Sequence, residues 1–70
     1  KIFQMLLLVC QDPEWVVRYA SVFGLHFLGI NASNYDSDLV SQIISQLNNI
    51  ARFDTELAVR ARAVMAKQEL

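Results

Sequence analysis

The sequence has very few of the residues that build covalently stabilised or metal-bound sites. It contains one cysteine, one histidine, one proline and two glycines among 70 residues. A single cysteine excludes an internal disulfide, and one cysteine with one histidine leaves too few ligands for a protein-only metal cage. The low proline and glycine content excludes collagen-like and low-complexity sequence. No phosphate-binding glycine loop, nucleophile elbow or zinc-protease motif is present, so we expect neither a metal site nor a set of catalytic residues.

Charge of one sign and long apolar runs are also lacking. Six Lys and Arg residues against seven Asp and Glu give a net charge of -1, which provides no electrostatic reason to bind nucleic acid. The apolar run at 5–10 is far shorter than the roughly 18–20 residues of a membrane span. We therefore expect no membrane segment and a cytoplasmic location. With 54% hydrophobic and 19% charged residues, the chain is too apolar to be disordered.

The length predicts a single all-α domain, residues 1–70, with a modest core. Domains below roughly 70–80 residues usually need a disulfide, a metal or a partner to be stable. The chain begins at Lys1 rather than at a methionine. We therefore expect it to be a fragment of a longer chain or to pack against another molecule.

An internal repeat underlies the sequence. A shift of 42 residues overlays 1–28 on 43–70, and this period lies within the range of helical solenoid repeats. Eight pairs are identical: Ile2/Ile44, Gln4/Gln46, Asp12/Asp54, Glu14/Glu56, Val17/Val59, Arg18/Arg60, Val22/Val64 and Leu28/Leu70. We expect repeat one to span about 1–29 and repeat two about 37–70.

Helix signals divide the chain into four helices. Asp12 is a candidate cap, Pro13 suits a first helical position, and Gly29 is a typical C-terminal signal. Asp54 is the equivalent cap in the second repeat. The helices are predicted at 2–11, from 13 to about 28, at 37–52 and at 55–68, with a loop at 30–36.

The first two predicted helices are apolar on nearly every side. The second has only Arg18, Ser21 and His26 as clearly polar residues after Glu14. A helix of this kind is normally buried on nearly every side, and four helices cannot easily cover both. Either a neighbouring repeat or another protein is therefore expected to cover the first repeat.

Two blocks carry a family resemblance. Residues 12–20 read Asp-Pro-Glu-Trp-Val-Val-Arg-Tyr-Ala, and residues 54–63 read Asp-Thr-Glu-Leu-Ala-Val-Arg-Ala-Arg-Ala. Each places an Asp six residues before an Arg that follows a Val. This pattern resembles the HEAT repeat, and residues 12–20 resemble the HEAT-like repeats of the phycobilisome bilin lyases, the E/F-type subunits of cyanobacteria.

The resemblance implies a HEAT-like superhelix of two stacked helical hairpins, part of a right-handed solenoid. Asp12 and Asp54 would cap the second helix of each hairpin. Arg18 and Arg60 would form a ladder between repeats, with Arg18 reaching Asp54 or its turn, because an arginine fork makes two aligned hydrogen bonds.

The resemblance also implies a function. Bilin lyases attach an open-chain tetrapyrrole to a cysteine of a phycobiliprotein, and relatives detach bilins. The expected partners are a phycobiliprotein subunit, a partner lyase subunit and further HEAT repeats or a second copy. Phycocyanobilin is the candidate substrate, and no other cofactor is implied. The alternative is a HEAT-repeat interaction scaffold without chemistry; a free-standing four-helix bundle fits poorly because the repeat would then be accidental.

Five residues are candidates for binding bilin or partner, each with an ordinary structural alternative: Trp15, Tyr19, His26, Arg52 and Arg62. The two aromatic rings, at i and i+4, either stack on a planar ligand or fill the space between repeats. The two arginines either bind tetrapyrrole propionates or are solvated. His26 either donates a proton or is a satisfied core residue. Cys10 is expected to be a buried structural thiol, since the acceptor cysteine belongs to the phycobiliprotein.

Overall fold

The computed structural model describes all residues, 1–70, and contains four α-helices and no strand. The helices are α1 (Ile2–Val9), α2 (Trp15–Ala32), α3 (Ser37–Phe53) and α4 (Leu57–Gln68). The all-α prediction is confirmed, with two helical hairpins, α1–α2 and α3–α4. None of the four helices is both long enough and apolar enough to span a membrane.

The second helix is the centre of the packing. Its backbone lies close to those of the other three helices, whereas the backbone of α1 lies close only to that of α2. Eight buried side chains from α2, α3 and α4 form the core: Val22, Leu25, Ile43, Leu47, Ile50, Val59, Ala63 and Ala66. The first helix contributes no fully buried residue and covers this core with partly buried side chains, among them Phe3 and Leu6. The core is therefore centred on the second hairpin and α2.

The two hairpins lie side by side in the same orientation. The start of α2 meets the turn before α4, where Arg18 binds Asp54, and the later part of α2 meets α4, where His26 binds Arg62. α2 and α4 therefore run parallel. Parallel neighbours of this kind are what stacking one hairpin on an equivalent hairpin produces.

Hydrogen bonds recur with the period of the sequence repeat. Arg18 Nη1 donates to the carbonyl of Asp12 at 2.9 Å, and Arg60 Nη1 donates to the carbonyl of Asp54 at 2.7 Å. The Asp carboxylates accept from Glu14 N–H and Glu56 N–H at 2.8 and 2.9 Å. Each of these bonds maps onto its counterpart by the same 42-residue shift, so the repeated residues make repeated contacts.

The helix starts differ from the predicted ones. The N-cap of α2 is Glu14, so Pro13 lies in the preceding turn and not at the first helical position. Asp12 closes that turn by accepting the N–H of Glu14, and Asp54 does the same before α4. By contrast, Asp36 is a true N-cap, because its carboxylate accepts the N–H of Leu39 at 3.0 Å.

The predicted end of α2 at Gly29 is wrong. The helix continues to Ala32, and Gly29 is buried inside it. The backbone at Gly29 has no positive φ, so this glycine makes no left-handed turn. A Cβ here would lie 2.8 Å from Cδ1 of Leu70, and a Cβ at Gly24 would lie 2.8 Å from Cδ2 of Leu6, so both glycines face the flexible ends of leucine side chains.

Candidate functional site

An exposed apolar row runs along the free side of α2. Its members recur at helical spacing, so they share one face that no other helix covers. We call it the α2 stripe, and it consists of Val16, Tyr19, Phe23, Phe27 and Ile30. Phe23 and Phe27 are 59% and 65% exposed. Exposed apolar surface that is contiguous in this way typically marks an interaction site.

Beside the α2 stripe lies a buried cation. Arg62 on α4 is only 7% exposed, so the prediction that it is solvated is wrong. Its guanidinium lies under the ring of Phe23, 5.3 Å from the ring centroid. No carboxylate lies within ion-pair distance of it, since the two carboxylates that contact a basic side chain are Asp54, which binds Arg18, and Glu69, which binds His26. Its Nη1 atom is buried and has no hydrogen-bond partner.

His26 connects Arg62 to the C-terminal end of α4. Arg62 Nη2 lies 3.0 Å from His26 Nδ1, and His26 Nε2 lies 2.7 Å from Glu69 Oε1. A guanidinium can only donate, so Nδ1 accepts and the proton of the neutral ring is on Nε2, which donates to Glu69. Both ring nitrogens are therefore occupied, and this geometry is that of a satisfied core histidine rather than of a free proton donor.

A shallow hollow of about 160 Å³ joins these features. Phe23, Phe27 and Ile30 of the α2 stripe line it together with His26 and Arg62. We call these five residues the Arg62 site. Pockets that enclose a whole drug-sized ligand measure roughly 300–1,000 Å³, so this hollow is large enough for part of such a ligand. Sequence reasoning selected the two polar members and missed the three apolar ones, although their spacing along α2 is visible in the sequence.

The remaining candidate binding residues lie away from the Arg62 site. Trp15 and Tyr19 are both more than one-third exposed and pack edge to face, with ring centroids 6.4 Å apart. Tyr19 extends the α2 stripe, and Trp15 begins the helix beside it. Arg52 is exposed near the end of α3 and lies over the ring of Phe53 at 5.4 Å. The structure does not bring Arg52 and Arg62 together.

Arg18 and Asp54 form the charged contact between the hairpins. Arg18 Nε and Nη2 donate to the two carboxylate oxygens of Asp54 at 2.8 and 3.1 Å. Burial alone would raise the pKa of Asp54, but the hydrogen bonds from Arg18 and from the Glu56 N–H outweigh it, so this pKa lies below its ordinary value. The same hydrogen bond raises the pKa of the Arg18 guanidinium. Arg60, its repeat counterpart, uses only Nη1, toward the Asp54 carbonyl.

The single thiol lies between α1 and α2. Cys10 is partly buried rather than fully buried as expected, and its Sγ lies 3.2 Å from Ser21 Oγ. No group of three or more His, Cys, Asp or Glu side chains is placed to hold a metal ion.

Two further hollows lie between α1 and α3. The larger, about 580 Å³, is lined by residues near the starts of both helices, including Lys1, Asp36 and Asp38. The smaller, about 280 Å³, lies near their ends, beside Cys10 and Phe53. Neither contains a buried polar group without a partner, and Asp36 is used as a helix cap. The Arg62 site is therefore the better candidate for specific binding.

Comparison with known proteins identifies relatives of one kind. The chain is 41% identical over 66 residues to a phycocyanobilin lyase subunit beta of Pseudanabaena tenuis, which covers 94% of the chain and 23% of that protein. It is 38% identical over 69 residues to a protein of the same name from Nostoc, covering 99% of the chain and 32% of the relative. The resemblance to the bilin lyase family is confirmed.

A third relative has a name other than lyase. The chain is 44% identical over 59 residues to a phycobilisome maturation protein of Synechococcus elongatus, which covers 84% of the chain and 27% of that protein. The chain thus spans between about a quarter and a third of the length of these three relatives. No protein-family model and no solved structure matches it.

Proposed function

We propose that the chain is a HEAT-type module of a phycobilin lyase-family protein that binds a phycobiliprotein subunit and assists covalent attachment or removal of a bilin. The proposed substrate is phycocyanobilin, which the names of two relatives specify for those proteins. The proposed location is the cytoplasm, together with the phycobiliprotein.

The HEAT part of the proposal is supported by the repeated geometry. Hydrogen bonds related by 42 residues occur in both hairpins, and α2 runs parallel to α4. Hairpins that stack in this way form a solenoid when more of them follow. The relatives are three or more times as long as the aligned segment in the three cases described, which leaves room for further repeats. Further repeats, or a second copy of the chain, are therefore proposed neighbours.

The observation that carries the binding role is the α2 stripe. Its aromatic side chains are exposed, and aromatic residues are enriched at the centres of protein interfaces. The side chains of the stripe are exposed, so a phycobiliprotein or a partner lyase subunit can reach them without displacing a helix. The role of this module in the reaction would be to hold the partner and present the bilin, with the acceptor cysteine on the phycobiliprotein.

The binding role is tested by measuring the affinity of the full 70-residue chain for an apo-phycobiliprotein subunit, by calorimetry or surface plasmon resonance. We expect Phe27→Ser, in the α2 stripe, to weaken binding about tenfold or more. Leu57→Ser is the matched control, because Leu57 is also an exposed apolar residue, 68% against 65%, but lies at the start of α4. The Leu57→Ser variant should bind the phycobiliprotein subunit with the affinity of the wild type.

Two results would contradict the proposal. If the chain binds no phycobiliprotein subunit, the proposed lyase-family role is wrong. If Leu57→Ser weakens binding as much as Phe27→Ser does, the α2 stripe is not the interface. Binding of a protein partner without any change in the visible spectrum of added phycocyanobilin would instead favour the non-catalytic scaffold.

A further inference from the structure

We infer that the Arg62 site holds a carboxylate carried by a flat, apolar ligand, and that in this protein the carboxylate is a propionate of a bilin. The inference rests on the proposed function for the identity of the ligand. It rests on the structure for the chemistry of the site.

The first argument is the unbalanced charge of Arg62. A guanidinium is always ionised in proteins, and buried charges are normally paired with an opposite charge. Arg62 is 93% buried, and its one side-chain hydrogen bond is to the neutral ring of His26. The only carboxylate of this network, Glu69, binds the far side of that ring and not the guanidinium. An anion is therefore the partner that this site lacks.

The second argument is the orphaned donor. Nη1 of Arg62 is buried without a hydrogen-bond partner, while Nη2 is occupied by His26. A carboxylate oxygen satisfies such a donor and supplies the missing negative charge at once. The contact of Nη2 with His26 Nδ1 leaves Nη1 as the donor that lacks a partner.

The third argument is the apolar wall of the hollow. Phe23, Phe27 and Ile30 form one side of it, and Phe23 stacks on the guanidinium. The ring of Phe23 is 59% exposed, so it can turn outward on the fast time scale of surface side chains and let a ligand reach Arg62. A flat conjugated ring could then take its place over the cation. With a volume of about 160 Å³, the hollow is too small to enclose a whole tetrapyrrole, so only part of such a ligand would lie in it.

General electrostatic attraction does not account for such binding. The chain has a net charge of -1, so it does not attract anions as a whole. A preference for a carboxylate must therefore come from a local group. The exposed Arg52 provides a matched comparison, since it is also stacked on a phenylalanine but is not buried.

The test is a titration of the full chain with phycocyanobilin and with its dimethyl ester, followed by visible absorbance. The ester keeps the conjugated system and removes both negative charges. We expect the wild type to bind the free acid about tenfold more tightly than the ester, as one charge-assisted hydrogen bond predicts. Arg62→Met should bind acid and ester alike, and Arg52→Met should keep the wild-type preference.

Equal affinity of the wild type for acid and ester overturns the inference, as does a preference that survives in Arg62→Met. Failure to bind either form overturns it too. If Arg62→Met does not fold, as judged by circular dichroism, the wild-type comparison of acid and ester still tests the inference.

The variant Phe27→Ala tests the apolar wall of the hollow, and it should weaken binding of the acid and of the ester by the same factor. Phycobiliprotein binding measured in parallel separates this inference from the proposed function, since either result can fail while the other stands.

Discussion

Arg18 and Asp54 are 36 residues apart in sequence, and their side chains meet in a two-pronged ion pair at the junction of the two hairpins. A third donor of the same guanidinium, Nη1, holds the carbonyls of Asp12 and Pro13 at 2.9 and 3.1 Å. One arginine thus connects the turn of the first hairpin to the turn of the second. The planar arrangement of its donors is what allows both connections at the same time.

Replacing this arginine should therefore loosen the junction. We expect Arg18→Gln and Arg18→Lys both to lower the melting temperature by several degrees, since neither side chain reproduces the fork. Arg52→Gln is the matched control and should leave the melting temperature unchanged. Circular dichroism melts of the three variants measure this. A melting temperature of Arg18→Lys equal to that of the wild type would contradict the role given to the fork.

The same pair predicts a dependence of stability on pH. The pKa of Asp54 is lower in the folded chain than its ordinary value of 3.8, so the folded state binds this proton less readily than the unfolded state. The stabilisation is therefore complete above about pH 4 and is lost as the pH falls through the folded pKa. Urea unfolding of wild type and Asp54→Asn, followed from pH 7 to pH 2, should give a difference that shrinks below pH 4. A difference that stays constant over this range would exclude the effect.

The cap of α3 should be worth about 1 kcal/mol. Asp36→Ala removes the oxygen that accepts the N–H of Leu39 and should lower the free energy of unfolding by about that amount. Asp36→Asn keeps an accepting oxygen and should lose much less. Asp38→Ala is the control, since Asp38 lies in the first turn of the same helix without capping it. If Asp36→Ala and Asp38→Ala lower the free energy of unfolding in urea by the same amount, the effect comes from negative charge near the positive end of the helix dipole and not from the cap.

Replacing isoleucine by valine should cost more free energy of unfolding in the core than on the α2 stripe. Ile43 is fully buried, and Ile43→Val removes one methylene from the packed centre, which costs about 0.5–1.5 kcal/mol. Ile30 on the α2 stripe is 47% exposed, and Ile30→Val should change the free energy of unfolding by less than about 0.5 kcal/mol. Urea unfolding of both variants provides the measurement. A larger loss for Ile30→Val would mean that the α2 stripe is packed in solution.

Local sequence signals were sufficient for the architecture but not for the Arg62 site. Helix periodicity and turn residues predict four helices, and the resemblance to HEAT repeats implies that Arg18 lies near the turn at Asp54. The burial of Arg62 depends on His26, 36 residues earlier, and on the ring of Phe23. Contacts between distant residues of this kind have no period and no local motif, so composition and spacing could not exclude a solvated Arg62.

Gly29 illustrates a second reason for error. Glycine ends helices when the chain needs a left-handed residue, but it is also used where another element comes very close. Here the nearby side chain is Leu70, at the other end of the second hairpin. The two uses of glycine look the same in sequence, and the backbone at Gly29, which has no positive φ, separates them.

The backbone of the first helix lies close to a single neighbour, α2. Because α1 also has no fully buried residue, we expect it to separate from the rest while the core of α2, α3 and α4 stays intact. Amide hydrogens of α1 should accordingly exchange with solvent through a local opening that costs much less free energy than global unfolding, whereas those of α3 should exchange only when the whole chain unfolds. Native-state hydrogen exchange would then resolve the module into a persistent three-helix unit and a detachable first helix.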